Sequence, residues 1–508
     1  MKRVFYLLLI SLPAFGQVMT DRAAARFLDQ ATWGPAPASI AALEKVGIAS
    51  WLESQFTATM SDLPDQPLLA ANGNRNTNLA PVQAAFFQNT VNGPDQLRQR
   101  VAFILSQIWV VSQVTVRSAY AFPPYWRIFR DNAFTNYRDI IRAVTLSPAM
   151  GTYLNMANNN KGNPAKGTAP NENYAREMMQ LFTLGLTELN PDGTPVLDSN
   201  KNPIPTYNQA VVTNMAKVLT GWTYPTAPGA TAKTNNPEYY FGQMFAVETE
   251  HDTTAKAIFN NLTIPAGQTA EQDLDTLIND LMAQPSMAPF VSRQLIQHMV
   301  TSNPSPAYIQ RVSQVFTSTG GDMKSVITAI LTDSEARAGD AANAPVNPNF
   351  GHLREPILLL SNLGRGLSAV VGATNSIDNY ANELGENLFN EPSVFSYFSP
   401  QNRIAGGLLG PEFQIYSTQT ASDRANLVNT ALYASVGSTT TLPPAVVAAA
   451  NDVSILLDAI SYVFLHSSMS PALTQAATSA VNAQSTPLAK VQAALYIVLT
   501  SSEYQVVQ

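Results

Sequence analysis

One period dominates this chain. In segment after segment apolar residues recur every three to four positions, and few stretches alternate in the two-residue rhythm of a strand. The clearest case is NENYAREMMQLFTLG, Asn171 to Gly185. Wound as a helix, it puts Tyr174, Ala175, Met178, Met179, Leu181 and Phe182 on one arc. Glu172, Asn173, Arg176, Glu177, Gln180 and Thr183 fill the other. Asn171 stands where an N-cap is expected, and Gly185 where a left-handed C-terminal cap belongs. The same pattern predicts a helix in TDRAAARFLDQATWG, capped by Thr20 and ended by Gly34. Another runs from Pro37 to Gly47, with Pro inside its start and Gly at its end, and leads into IASWLESQF. DQLRQRVAFILSQIWVVSQ, Asp95 to Gln113, is longer and more apolar and is expected as a buried central helix. Further helices are predicted at Asn136–Thr145, Asn208–Leu219, Glu271–Ala283, Met287–Thr301, Pro306–Thr317, Met323–Leu331, Leu353–Leu363 and Pro487–Thr500.

Strand signals are few. GTPVLDSNKNPIPTY, Gly193 to Tyr207, sets β-type residues on either side of an Asp/Asn/Lys turn and is expected as a small hairpin. SVFSYFSP, from Ser393, alternates weakly and fits either a strand or an extended loop. Pro- and Asn-rich connections run near Ser61–Pro81, Asn158–Pro170, Thr223–Pro237, Gly339–Asn349 and Asn387–Pro411, and connections of that length often carry function. No internal repeat and no clean linker divides the chain. The expected fold class is therefore mainly α: one large, bundle-like helical domain over residues 17–508, with a small β-hairpin and long loops.

Hydrophobic residues make up 45% of the 508, enough for a large core. Charged residues make up only 13%, against roughly 25% in an average soluble protein. Asn, Gln, Ser and Thr supply the remaining polarity, a balance that suits an exported protein and argues against a charge-rich disordered one. A net charge of -7 without any Lys/Arg cluster argues against a nucleic-acid or anionic-membrane partner. The first residues, MKRVFYLLLISLPAFGQ, read as a secretory signal: Lys2 and Arg3, then the apolar run Val4 to Leu12, then Ala14-Phe15-Gly16. Cleavage is expected after Gly16, making residues 1–16 a signal peptide. The apolar run falls far short of the roughly 20 residues of a membrane span, so no integral membrane segment is expected after cleavage. The chain has no cysteine, which excludes a lipoprotein anchor, a disulfide framework, a cysteine nucleophile and thiolate metal ligands. The expected destination is the periplasm, the cell surface or the medium.

Several blocks, in order, carry a family likeness. They are AAARFLDQATWGP from Ala23, IASWLESQF from Ile48, DQLRQRVAFILSQIWVVS from Asp95, NAFTNYRDIIRAVTLSPAM from Asn132 and NENYAREMMQLFTLG. They continue with TYNQAVVTNMAKVLTGWT from Thr206, HDTTAK from His251, PSVFSYFSP from Pro392 and the C-terminal ALYIVLTSSEYQ. In these the chain resembles the bacterial family called "domain of unknown function 1800", over nearly the whole mature length. The resemblance implies an exported helical protein and brings no established activity with it. Genes of the family often lie beside those for exported sulfatase- or phosphatase-like proteins, which implies a co-exported protein partner. One tract departs from the pattern: other branches carry a histidine where this chain reads Leu105-Ser106-Gln107-Ile108-Trp109.

Two clusters are candidates for chemistry. Glu172 and Arg176 stand four residues apart and would pair across one helical turn, as would Asn173 with Glu177. With Glu177 they either bind a polar ligand or metal at the mouth of a bundle, or form a solvated surface pair. His251-Asp252 with Lys256 either places a base or metal ligand beside an orienting carboxylate, or makes Asp252 the N-cap of a helix starting at Thr253. Trp222 in LTGWT, with Tyr224, Tyr239, Tyr240 and Phe241, offers either stacking surfaces for a sugar or ordinary core aromatics. Asp198-Ser199-Asn200-Lys201-Asn202 copies the first half of a calcium loop. It then places Pro203 where Gly is required, so it reads as a turn. No HExxH, G-x-S-x-G, P-loop or dinucleotide fingerprint is present, and the patterns specify neither a metal nor a cofactor.

Three functional readings follow. The first is an exported binding or assembly factor acting with a co-exported partner. In the second, a metal-assisted hydrolase of an extracellular polymer or ester, Glu172, Arg176, Glu177, His251 and Asp252 would converge, with Lys256 and Trp222 contacting the ligand. The third is a carbohydrate-binding module built on the aromatics.

Overall fold

A computed structural model describes residues 19–259, 262–341, 344, 347, 349–434, 438–439, 442, 444–466 and 469–507. The leader read at residues 1–16 lies outside them. The architecture is mainly α, 55% helical, and among the described residues the sheets are two-stranded pairs. Among the described residues no helix is long and apolar enough to cross a membrane.

Local chemistry sets most helix starts. Thr20 accepts the amide of Ala23 and opens Asp21–Ala31, Asn136 caps Tyr137–Thr145, and Asn208 caps Gln209–Val218. Thr269 opens Ala270–Ala283 with a reciprocal bond to Gln272. Proline in the first turn opens Pro306–Thr319 and Pro487–Leu499. The stretch Pro37–Phe56 is interrupted at Gly47, whose φ of 74° and ψ of 163° no helix tolerates, so two helices meet there at a kink.

At the centre lies Gln96–Ile108, buried along nearly its whole length, polar residues included. It ends five residues before the expected Gln113. Trp109 leaves helical geometry to pack its fully buried ring on Phe182, and Ser112 then caps a separate turn, Gln113–Val116. Around this rod pack Ala80–Asn92, Phe122–Asn132, Met287–Met299 and the other helices, in one continuous buried cluster of apolar side chains.

Two expectations need correction. The helix predicted over Leu353–Leu363 begins instead at Pro356 and runs to Gly366. His352–Leu353 is a strand paired antiparallel with Val506–Val507, and Arg354 donates its amide to Gln505, which draws the segment out of the helix. The hairpin expected at Gly193–Tyr207 has a third arm. Leu189 bridges Pro195, Leu197 bridges Pro203 and Thr187 bridges Pro205, and the prolines keep the ladder to isolated bridges. At its tip Asp198 Oδ1 accepts the amides of Asn200 and Asn202, so the half calcium loop is a side-chain-closed turn. SVFSYFSP is a turn-rich loop in which Ser393 bridges Ser396.

Candidate functional site

The segment Asn171–Gly185 does not form one regular helix. An α-helical turn, Asn173–Glu177, passes into a π-helix, Met178–Thr183. The N-cap is Glu172, without a side-chain cap bond, and not Asn171, whose Oδ1 accepts the amide of Asn173 and closes the turn just before the helix. Within the π-turn Thr183 Oγ1 donates to the carbonyl of Met178 at 2.6 Å. Leu184 and Gly185 both donate to the carbonyl of Met179 at 3.0 Å, and Gly185 takes the left-handed conformation expected of it. The wider turn shifts the faces: Thr183 is fully buried, whereas Leu181 is only half-buried. Such turns occur often at functional sites.

The two charged clusters are held in different ways. Glu172 accepts bonds from Arg176 at 3.0 Å, Gln209 at 2.9 and 3.0 Å and Thr213 at 2.8 Å. Partial burial would raise its pKa, but these donors outweigh that and lower it. The expected bond from Asn173 to Glu177 is not made. Glu177 Oε2 is buried without a partner, and burial raises the carboxyl's pKa despite nearby Arg176.

His251 is fully buried, and its partner is not Asp252. Nε2 lies 3.0 Å from Asp273 Oδ2, Nδ1 lies 3.0 Å from the carbonyl of Thr220, and Lys256 Nζ meets the same Asp273 oxygen at 2.6 Å. None of these three side chains is exposed. Asp252 caps no helix. It closes a turn onto the amide and hydroxyl of Thr254, and the chain continues into Lys256–Ala257, a strand paired with Thr263–Ile264. Those bonds lower its pKa against the opposing effect of burial. Trp222 is also fully buried, in a strand paired with Phe245–Ala246, and offers no open face for a sugar ring. Among the described residues no hydrogen bond or ion pair joins Glu172 or Glu177 to His251 or Asp252. Nor do three or more His, Asp or Glu gather to hold a metal.

A concave feature that combines apolar walls with polar groups lies elsewhere. It is a cavity of about 500 Å³ whose floor is Gln107 and Ile108, at the end of the central helix. One wall is the π-turn, through Gln180, Leu181 and Gly185. A second is one face of Met287–Met299, where Phe290, Arg293, Gln294, Gln297 and His298 follow at helical spacing. The roof is the loop of Val394, Phe395 and Phe398, with Leu186 and Phe395 exposed at the mouth. Burial lowers the His298 pKa to about 4, aided by Arg100 and His352 and opposed by Glu355, so its imidazole is neutral at pH 7. It is one of the residues that line the cavity. Gln107 donates to Glu355 at 3.0 Å while its own Oε1 has no partner. Glu412, at the cavity edge, lies 3.5 Å from His352 and has its second oxygen unpartnered.

The model of the family described as "Protein of unknown function (DUF1800)" matches residues 26–506. The chain belongs to the DUF1800 family. No curated protein and no solved structure matches it. The blocks that carry the DUF1800 likeness now have places. The tract containing Gln107, the segment ending at Gly185 and the loop PSVFSYFSP are far apart in sequence, and all three line the cavity. Of the residues marked out from sequence, none of Glu172, Arg176, Glu177, Trp222, His251, Asp252 and Lys256 lines it. Arg293, His298 and Glu412 were not singled out. The helical spacing of MAPFVSRQLIQHM, with Arg293 and His298 on one face, is a signal for those two, and no local pattern marks Glu412.

Proposed function

We propose that this DUF1800 protein is exported and acts as a binding protein whose ligand occupies the cavity between the central helix, the π-turn, Met287–Met299 and the 394–401 loop. One observation carries the reading: three sequence blocks of the family converge on one cavity of about 500 Å³, within the range of small-molecule sites. Its walls mix apolar side chains with glutamines, hydroxyls, an arginine and a histidine, and it opens to solvent, as a binding site requires. Export rests on the leader MKRVFYLLLISLPAFGQ. A co-exported protein partner belongs to the proposal through the gene neighbourhoods that the resemblance implies.

The alternative, a metal-assisted hydrolase, needs Glu172, Glu177, His251 and Asp252 at one place. The first pair is spent on local bonds or sits half-buried, and His251 is enclosed with Asp273 and Lys256. Nothing in that arrangement favours the hydrolase over the binding protein.

Mass spectrometry of the protein recovered outside the cytosol tests the proposal. A denatured mass that begins at Gln17, with a native mass carrying a small-molecule adduct, is expected. An uncleaved chain confined to the cytosol, with no adduct, would overturn it.

A further inference from the structure

One cationic side chain in the cavity has no protein partner among the described residues. Elsewhere the deep arginines of this protein are partnered. Arg354 forks onto Asp29 at 2.8 and 3.0 Å, Arg26 meets Asp340 at 2.8 Å, and Arg100 meets Glu355 and the carbonyl of His298. Even Arg365, without a carboxylate, donates to the carbonyls of Gly34 and Val91. Arg293 is the exception. Among the described residues no carboxylate, carbonyl or hydroxyl bonds its guanidinium. Burial alone lowers its pKa, and no acid stands near enough to offset that.

A guanidinium presents five donors in a planar fork that matches a carboxylate or phosphate. The half-buried guanidinium has no protein acceptor to give up, so it is free to take the anionic group a ligand brings. The one acid lining the cavity does not compete: Glu412 is turned toward His352. His298, neutral at pH 7, adds no second positive charge. The rest of the lining combines apolar side chains, among them Leu181, Leu189, Phe290, Val394 and Phe398, with glutamines and the hydroxyls of Thr187, Ser396 and Ser399, which can either donate or accept.

We propose that Arg293 is the anion-binding group of this cavity and that the ligand is an organic anion with a carboxylate or phosphate head and an apolar body. The inference rests on the cavity being the binding site. In the bound state the head forks onto the guanidinium and the body lies among Phe290, Val394 and Phe398.

Calorimetric titration of the mature protein with 4-phenylbutyrate, phenyl phosphate and the neutral 4-phenylbutan-1-ol tests it. At least one anion should bind about tenfold or more tightly than the alcohol, a difference of roughly 1.4 kcal/mol. Which anion binds tells a carboxylate head from a phosphate head. Arg293→Gln should remove the advantage of the anion and leave alcohol binding unchanged. If that variant does not fold, Arg293→Met, which removes the charge but keeps much of the stem, decides: weakened anion binding with unchanged alcohol binding supports the assignment, and undiminished anion binding overturns it. Equal binding of anion and alcohol by the unaltered protein would overturn the anion assignment while leaving a binding cavity in place. Failure of all three compounds to bind would overturn both.

Discussion

The rings of Trp109 and Phe182 pack with centroids 4.4 Å apart and planes inclined by 33°. This contact ties the end of the central helix to the π-turn, so one aromatic pair fixes the angle at which the cavity floor meets its wall. Phe182 is fully buried, and truncating it removes both the ring contact and its share of the core. Phe182→Ala should cost about 3–5 kcal/mol, measured by denaturant unfolding. A variant of full stability would show that this helix is placed wrongly.

The helices were legible where their signals are local. Thr20, Asn136 and Asn208 each place one side-chain oxygen over the next amides, and that geometry depends on a few neighbouring residues. Thr418–Tyr433, TQTASDRANLVNTALY, was missed because its Ala, Thr and Ser residues give little contrast between faces. Phe122–Asn132 was missed because Pro123-Pro124 reads as a stop, although proline is tolerated in a first turn. The π-turn was illegible for another reason: its register is chosen by the bond from Thr183 to Met178 together with burial against Trp109. The cavity was legible only in parts. Arg293 looks like a surface residue of an amphipathic helix until the 394–401 loop, about a hundred residues onward, covers that face.

Asp273 holds Lys256 and His251 in a sealed cluster that does not line the cavity. Asp273→Asn should destabilise the fold by about 3–5 kcal/mol, because a buried cation loses its counter-charge. Replacing the pair by Lys256→Met with Asp273→Leu should recover part of that loss. Anion affinity per folded molecule should not change in either variant. A loss of affinity at full stability would make the cluster part of a binding site.

Gly185 ends the π-turn at φ 80°, and a Cβ there would stand 2.8 and 2.9 Å from two ring carbons of Phe290. Gly185→Ala should lower stability by about 1–3 kcal/mol through backbone strain. It should also displace Phe290 and weaken 4-phenylbutyrate binding. Thermal unfolding and calorimetry read the two effects separately. Unchanged binding would mean that Phe290 is not a ligand contact.

His298 is held neutral, with its pKa lowered to about 4 from an ordinary 6.5, chiefly by burial. The unfolded chain therefore binds the proton more readily than the folded one. The stability this histidine contributes is present above pH 6.5 and is lost as pH falls from about 6.5 toward 4, by about 3 kcal/mol at most. His298→Gln should flatten this part of a stability-against-pH curve. An unaltered slope would place the proton uptake elsewhere.

The most direct measurement is a crystal structure of the mature protein with whichever anion binds. The account predicts ligand density between Gln107, Leu181, Phe290 and Phe398, with the anionic head about 2.7–3.2 Å from the Arg293 nitrogens. An empty cavity with the ligand bound at another site, or a head group turned away from Arg293, would contradict it.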